Sequence, residues 1–344
     1  MPLEKPGLHR AFLVHDGLRK KYLYSFHPVT GLWPVFALSG VSLNYQNILE
    51  QIHAEIAPTL PQGQLADYIP QLACVDERKF GIALCDVDGG YACVGDADER
   101  FSIQSISKVF TLTQAMRSAD SLLWQRVHRE PSGNAFNSLV QLEVENGIPR
   151  NPFINAGALV VTDIVLTQFG DAKAALRDFV RRVSGAGDVD YDVAVAASEA
   201  GHGYRNAALA YFLKSFGNLD NHPDQVLDAY FHHCALAMSC AELARAHLFL
   251  ARHGKDKSGE VISPSQAKAI NSLMLTSGTY DAVGAFAYNV GMPAKSGVGG
   301  GIVAVMPGMF SLCVWAPGLD RRGNSMAGSL ALQRFAQLSG HSVF

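Results

Sequence analysis

R-F-S-I-Q-S-I-S-K-V-F-T-L-T-Q-A-M-R, residues 100–117, is the stretch from which the fold is read. It sets Ser105 and Lys108 three residues apart at the start of a predicted amphipathic helix. Residues at i and i+3 share a helix face, so the hydroxyl and the amine can meet at hydrogen-bond distance. A serine hydroxyl is a poor nucleophile at neutral pH, and a lysine serves as its base only when desolvation or a nearby positive potential keeps the amine neutral. Val109, Phe110, Leu112 and Met116 can supply that burial. S-x-x-K alone is a weak signal, because the chain carries a second copy, Ser265-Gln266-Ala267-Lys268. Context separates the two. Ser105 follows an expected β-hairpin, G-I-A-L-C-D-V-D-G-G-Y-A-C-V-G-D (81–96), with Asp88-Gly89 as its turn. Ser265 follows the polar run G-K-D-K-S-G-E and Pro264, the pattern of an exposed loop and the first turn of a surface helix, and is read as structural.

Downstream of Ser105 the periodicity is mostly helical from Thr111 to about Leu275, broken at 130–133, 151–157 and 184–188. Two apolar, β-rich runs then follow, G-G-G-I-V-A-V-M-P and M-F-S-L-C-V-W-A-P, joined at Pro307-Gly308, and Ser325 can cap a last helix through Gln337. Upstream, Ile48, Leu49, Ile52 and Ile56 have helical spacing, ended by Pro58 and Pro61. Strands at both ends with helices between them predict an α+β fold, an α/β architecture in the broad sense. Its antiparallel sheet is shared by the N- and C-terminal segments and flanked by helices, beside a mainly helical lobe, with Ser105 at the junction. Residues 1–43, where Arg19-Lys20-Lys21 and a Pro-interrupted apolar stretch only faintly resemble a signal peptide, are expected to form a poorly ordered extension ahead of a domain over 44–344.

The 344 residues are 48% hydrophobic and 17% charged, enough for a sizeable core, and the formal net charge of −3 gives no electrostatic reason to expect nucleic acid. No apolar run reaches the 18 residues of a membrane helix. Six cysteines without a C-x-x-C pair read as buried free thiols in a reducing, cytoplasmic compartment, although Cys85 and Cys93 flank the hairpin turn and could face each other. His202, His222, His232 and His233 invite a metal reading, but neither H-E-x-x-H nor a Cys/His cluster with ligand spacing supports one, and no cofactor is expected.

A second constellation lies at Lys295-Ser296-Gly297-Val298-Gly299-Gly300-Gly301, directly before a strand. Glycines there let backbone N–H groups approach a substrate carbonyl and receive the oxyanion of a tetrahedral intermediate. The order is wrong for a phosphate loop. S-x-x-K opening a helix after a hairpin, with K-[ST]-G far downstream before a strand, is the frame of the penicillin-recognising serine acyl enzymes. Tyr204-Arg205-Asn206 would literally supply their Y-x-N element.

Six ordered blocks resemble one family more closely, the serine-dependent glutaminases of the β-lactamase-like fold: A-D-Y-I-P-Q-L (66–72), Q-S-I-S-K-V-F (104–110), E-P-S-G-N-A-F-N-S (130–138), N-P-F-I-N-A-G-A (151–158), S-E followed by R-N (198–206) and P-A-K-S-G-V-G-G-G-I (293–302). The resemblance runs from about Asn44 to the C-terminus. It implies hydrolysis of L-glutamine to L-glutamate and ammonia through an acyl-enzyme on Ser105, with Lys108 as base and Tyr280 or Tyr68 moving the proton. It implies Glu199, Asn155, Asn206 and Tyr230 around the amino-acid end of the substrate, Val298 completing the oxyanion hole with Ser105, and a homo-oligomer, tetramer or dimer. In that family Tyr204 has no counterpart, and a further site tyrosine found in some members is Phe212 here, so neither is assigned a role. The residues keep blander alternatives: Glu199 as a solvated helix residue, Asn155 as a cap, Tyr230 as core. Two rival functions share the frame, a β-lactamase- or DD-peptidase-like acyl hydrolase and a non-catalytic amino-acid-binding or scaffold protein. Intact Ser105, Lys108 and Lys295 argue against the second.

Overall fold

Period-two alternation runs through three apolar segments, and the structure turns it into the two faces of one sheet. The computed structural model describes residues 43–344, which form one compact unit; the expected extension falls, but for Leu43, outside the described residues. The unit begins with helix α1 (Tyr45–Ile56), the single-turn α2 (Pro70–Ala73), and strands β1 (Gly81–Asp86), β2 (Tyr91–Gly95) and the short β3 (Phe101–Ser102). Helices α3 (Ser107–Arg126), α4 (Leu139–Val144), α5 (Asn155–Phe169) and α6 (Ala172–Ser184) come next. They are followed by β4 (Asp190–Tyr191), α7 (Val193–His202), α8 (Tyr204–Ser215), α9 (Pro223–Cys234), β5 (Leu236–Met238) and α10 (Cys240–Ala251). The two-residue strands β6 (Lys255–Asp256) and β7 (Gly259–Glu260) precede α11 (Pro264–Ser277), α12 (Val283–Asn289), β8 (Ala294–Ser296), β9 (Gly301–Met306), β10 (Phe310–Trp315) and the closing α13 (Met326–Ser339).

The main sheet has the order β2-β1-β10-β9-β8, antiparallel throughout, so N- and C-terminal strands share it as expected. Ile82, Leu84, Ile302, Ala304, Leu312 and Val314 project to one face, into a core closed by α1 and α13. Ala83, Cys85, Val303, Val305, Cys313 and Trp315 project to the other, into the larger core shared with the helical lobe. Both faces are covered, which is why these strands read as nearly unbroken apolar runs. Among the described residues, no helix is long and apolar enough to cross a membrane.

Three local expectations change. The hairpin is closed by four residues, not by a two-residue Asp88-Gly89 turn: Asp86 Oδ1 accepts from Asp88 N (2.9 Å) and Gly90 N (2.7 Å), and Gly89 sits at φ +102°. Cys85 therefore pairs with Tyr91 and Cys93 with Ala83, so the two thiols do not face each other, and all six cysteines are free. Finally, α3 is not amphipathic in its first half. Every residue from Ser107 to Met116 is buried, because α5, α6, α9 and α11 pack around it, and a break at Ala119 (φ −152°, ψ 40°) precedes its exposed end. Ser325 caps α13 by accepting from Gly328 N, and Pro264 opens the surface helix α11 behind a Ser263–Gln266 capping box.

Candidate active site

Ser105 lies not in α3 but in the single 3-10 turn Gln104–Ile106 that feeds it. The turn is forced by Gln104, whose backbone is left-handed (φ +49°), a conformation costly for a residue with a side chain. Its neighbours fix it there. Ile103 N donates to Leu236 O at 2.9 Å, Ser102 Oγ donates to Cys234 O at 2.9 Å, and Gln104 Nε2 donates to Ser102 Oγ at 3.1 Å.

Against this turn packs the glycine-rich loop between β8 and β9. A side chain at Gly297 would bring its Cβ within 2.5 Å of Ile103 O and 3.3 Å of Ser105 N, and one at Gly299 would overlap Ser102 O. Only glycine lets these backbones meet. Trp315 pins the loop by donating from Nε1 to Gly299 O at 3.0 Å while stacking on Phe101. Val298, between the two glycines, is held beside Ser105. Among the described residues neither Ser105 N nor Val298 N has a hydrogen-bond acceptor.

Lys108 and Lys295 stand behind the turn, both buried. Lys108 Nζ donates to Asn155 Oδ1 at 2.7 Å and to Phe153 O at 3.1 Å; it makes no hydrogen bond to Ser105, the partner its spacing suggests. Burial pushes its pKa down to about 8. Lys295 Nζ donates to Gly278 O (2.9 Å) and Ser296 O (2.6 Å), and burial with the nearby charge of Lys108 holds its pKa well below the usual lysine range. Its Nζ lies 4.7 Å from the ring centre of Tyr280, the second residue here with a left-handed backbone (φ +56°). The Tyr280 hydroxyl donates to Ser296 O at 3.4 Å. Burial raises its pKa to about 12, although the nearby Ser105 and Ser296 offset part of the rise.

In front of Ser105 opens a cleft of about 300 Å³ lined by Ser105, Tyr68, Asn155, Glu199, Asn206, Tyr230 and Val298. Seven of the nine expected residues thus meet around one cavity, and Lys108 and Tyr280 back it. Glu199 is 3% exposed, a cleft carboxylate and not a solvated helix residue. The Tyr68 hydroxyl donates to its Oε1 at 2.7 Å, although Tyr68 as a whole residue is 44% exposed. Burial raises the Glu199 pKa, and the Tyr68 and Gln104 hydrogen bonds work against that rise. Among the described residues no cation forms an ion pair with Glu199. Burial and the Glu199 charge drive the Tyr68 phenol well above its ordinary value, and burial does the same to Tyr230. Asn155 is the first residue of α5, not its cap, and its Nδ2 donates to Asn206 Oδ1 at 2.8 Å.

Other lining residues carried no catalytic or substrate-binding expectation: Gln104, Phe136, Asn137, His202, Gly203, Arg205 and Cys234. All but Cys234 lie inside the quoted sequence blocks, so their block membership was the available signal; Cys234 has none, and burial raises its thiol pKa to about 12. Tyr204 is 78% exposed and does not line the cleft, and Phe212 packs on Phe216 instead. Ser265 lines a broader groove of about 490 Å³ between α3 and α11, which contains none of these residues. The four histidines are dispersed: His202 at the cleft, His222 near Asp224, His232 near Asp228, and His233 buried against Thr111 and Ala172.

Comparison with known proteins gives a consistent result. The family model described as Glutaminase matches residues 63–344. A glutaminase of Streptomyces coelicolor is 58% identical over 301 residues, 87% of this chain and 98% of that one. A glutaminase of Ralstonia nicotianae is 57% identical over 304 residues, 88% and 100% of the two chains. Among solved structures, the probable glutaminase ybaS superposes with a TM-score of 0.82 at 32% identity, covering 87% of this chain and 97% of its own. The probable glutaminase of Bacillus subtilis gives 0.80 at 32% identity, covering 88% and 98%.

Proposed function

The chain belongs to the glutaminase family and is an amidohydrolase, and from that premise we propose that it hydrolyses L-glutamine through an acyl-enzyme on Ser105, with Lys108 as the base. Glutamine brings an ammonium, a carboxylate and a side-chain amide, and each must find a partner as it loses water. Glu199 receives the ammonium, the Asn155–Asn206 pair and Tyr230 take the carboxylate end, and the side-chain amide reaches Ser105. Ser105 Oγ bonds the amide carbon while its proton passes to the lone pair of Lys108 Nζ. The carbonyl electrons move onto oxygen between the N–H groups of Ser105 and Val298, each worth roughly 3 to 4 kcal/mol to the transition state. The intermediate collapses, the C–N bond breaks, and the nitrogen leaves as ammonia after taking up that proton. Tyr280, the phenol beside Ser105, carries it across; Tyr68, whose proton is committed to Glu199, positions the carboxylate. Water then attacks the ester by the same route and releases glutamate.

The observation that carries this reading is Glu199: a buried carboxylate facing a small cleft, bonded by a phenol and left for a cationic group to complete. Residues 44–344 are the catalytic domain in this reading. Six free cysteines support a reducing, cytoplasmic setting, and the family resemblance supports a homo-oligomer, dimer or tetramer. The test is ammonia release from L-glutamine, L-asparagine and D-glutamine by wild type and Ser105→Ala. Release by wild type alone, and from L-glutamine alone, is expected. Release by Ser105→Ala would remove the acyl-enzyme, and equal rates on all three amides would remove the assigned pocket.

A further inference from the structure

Lys108 is joined to the far end of the cleft by two amides. Its Nζ donates to Asn155 Oδ1 at 2.7 Å, and Asn155 Nδ2 donates in turn to Asn206 Oδ1 at 2.8 Å. A carboxamide has one accepting and one donating end. Lysine's hold on Oδ1 therefore turns Asn155 Nδ2 toward Asn206, and Asn155's hold on Asn206 Oδ1 leaves Asn206 Nδ2 as the donor at the end of the chain. Asn155 and Asn206 both line the cleft; Lys108 does not. Hydrogen bonds in series polarise one another, so a proton gained at one end strengthens the donor at the other.

We propose that this chain relays the charge of Lys108 to the α-carboxylate of bound glutamine, holding it more tightly while Lys108 is an ammonium ion than while it is an amine. The proposal rests on the reading of Ser105, Lys108 and the carboxylate site given above, and deepens it. Lys108 becomes an ammonium ion as Ser105 adds to the amide, so the carboxylate, remote from the reacting carbon, is bound best in the transition state. Binding energy realised there raises kcat, whereas energy shared with the ground state only lowers KM. Coupling is reciprocal: a carboxylate at the end of the chain must hold the proton on Lys108. Asn155 is a positioning residue here. Two acceptors, Phe153 O and Asn155 Oδ1, account for both hydrogens of the neutral amine and leave its lone pair as the one place for the serine proton. The other titratable groups facing Lys108 are Glu199 on α7, Tyr230, His233 and Cys234 on α9, and Lys295 on β8. All of them are common to complexes with and without a carboxylate.

The test compares L-glutamine with 4-aminobutanamide, the same amide without its α-carboxylate. In Ser105→Ala protein, where neither ligand is consumed, the Lys108 amine is titrated by nitrogen NMR with each bound at saturation. Glutamine is expected to raise the Lys108 pKa by about one pH unit over 4-aminobutanamide, the scale of opposite charges coupled through a partly buried path. Asn206→Ala in the same background should bring the two values together. In wild type, removing the carboxylate should cost at least tenfold in kcat as well as raising KM. Equal Lys108 pKa values with both ligands, or a loss confined to KM, overturn the relay. The NMR reading does not depend on Lys108 being the base, so an error in that role shows separately, as activity surviving in Lys108→Ala.

Discussion

With Lys108 as the proposed base, its protonation sets the pH response of the chemistry. An amine with a pKa of about 8 is mostly protonated at neutral pH and cannot accept the serine proton until it loses its own. Because the working form is the deprotonated one, kcat/KM should rise about tenfold per pH unit up to about pH 8 and level off above it. A pH–rate profile on L-glutamine checks this, and a profile flat from pH 6 to 9 would exclude Lys108 as the base. In the proposed reading Glu199 governs recognition. Glu199→Gln keeps the shape and the Tyr68 contact but leaves the substrate ammonium without a counter-charge, which should cost about 3 kcal/mol, or roughly 150-fold in kcat/KM. Steady-state kinetics on purified variants would read it. Gly297→Ala tests the oxyanion side. Its Cβ would meet the Ile103 carbonyl at 2.5 Å, backbone that cannot rotate away, so the loop must shift off Ser105. The loss of one aligned donor predicts a fall in kcat of roughly a hundredfold or more, with an unchanged circular dichroism spectrum.

At the scale of elements, one buried carboxylate ties the helical lobe together. Asp163 on α5 is fully buried and accepts from Arg126 at the end of α3 (2.6 Å), from Asp220 N (2.9 Å) and from Asn221 N (2.9 Å). Asp163→Ala leaves Arg126 with the exposed Asp220 carboxylate (2.9 Å) as its remaining counter-charge and strands two backbone donors, which costs about 3 to 5 kcal/mol and should lower Tm by roughly 5 to 8 °C. Asp163 is not a cleft residue, so the folded fraction at 25 °C should keep its KM. Elements of this kind were partly legible in the chain. The hairpin, the shared sheet and the glycine loop before β9 follow from period-two alternation and Pro-Gly punctuation, which are local signals. The hydrogen-bond partner of Lys108 was not legible, because the choice between Ser105 three residues away and Asn155 forty-seven away is made by where α5 starts. The burial of α3 on all sides was hidden for the same reason: its small polar residues, Ser107, Thr111 and Thr113, read as a solvent face, yet they bond back onto neighbouring carbonyls and pass as core. The left-handed turn at Gln104 had no sequence signal at all, since glutamine is not a residue that announces one.

Across the whole molecule, the helical lobe that carries Lys108 also encloses two uncharged histidines, and they set its tolerance of acid. His233 on α9 lies against Thr111 of α3 and Ala172 O of α6, and His247 on α10 packs on Phe110 with its Nε2 left without a partner. Burial lowers both pKa values to about 4 from an ordinary 6.5. The unfolded chain therefore takes up protons first as the pH falls. Stability is full above about pH 6.5 and drains away between 6.5 and about 4, where the folded state also protonates. For each ring the whole window is worth about 3 kcal/mol, so the pair accounts for a loss of about 6 kcal/mol by pH 4. His247→Phe keeps an aromatic ring beside Phe110, cannot be protonated, and gives up one backbone contact to Leu243. Melting temperatures followed from pH 8 to 4.5 should fall in both proteins, but less steeply in the variant. The difference between them should open below pH 6.5 and reach about half of the wild-type loss before the surface carboxylates begin to titrate. Parallel curves would mean that His247 is not held neutral by the lobe, and that the acid sensitivity of the fold lies elsewhere.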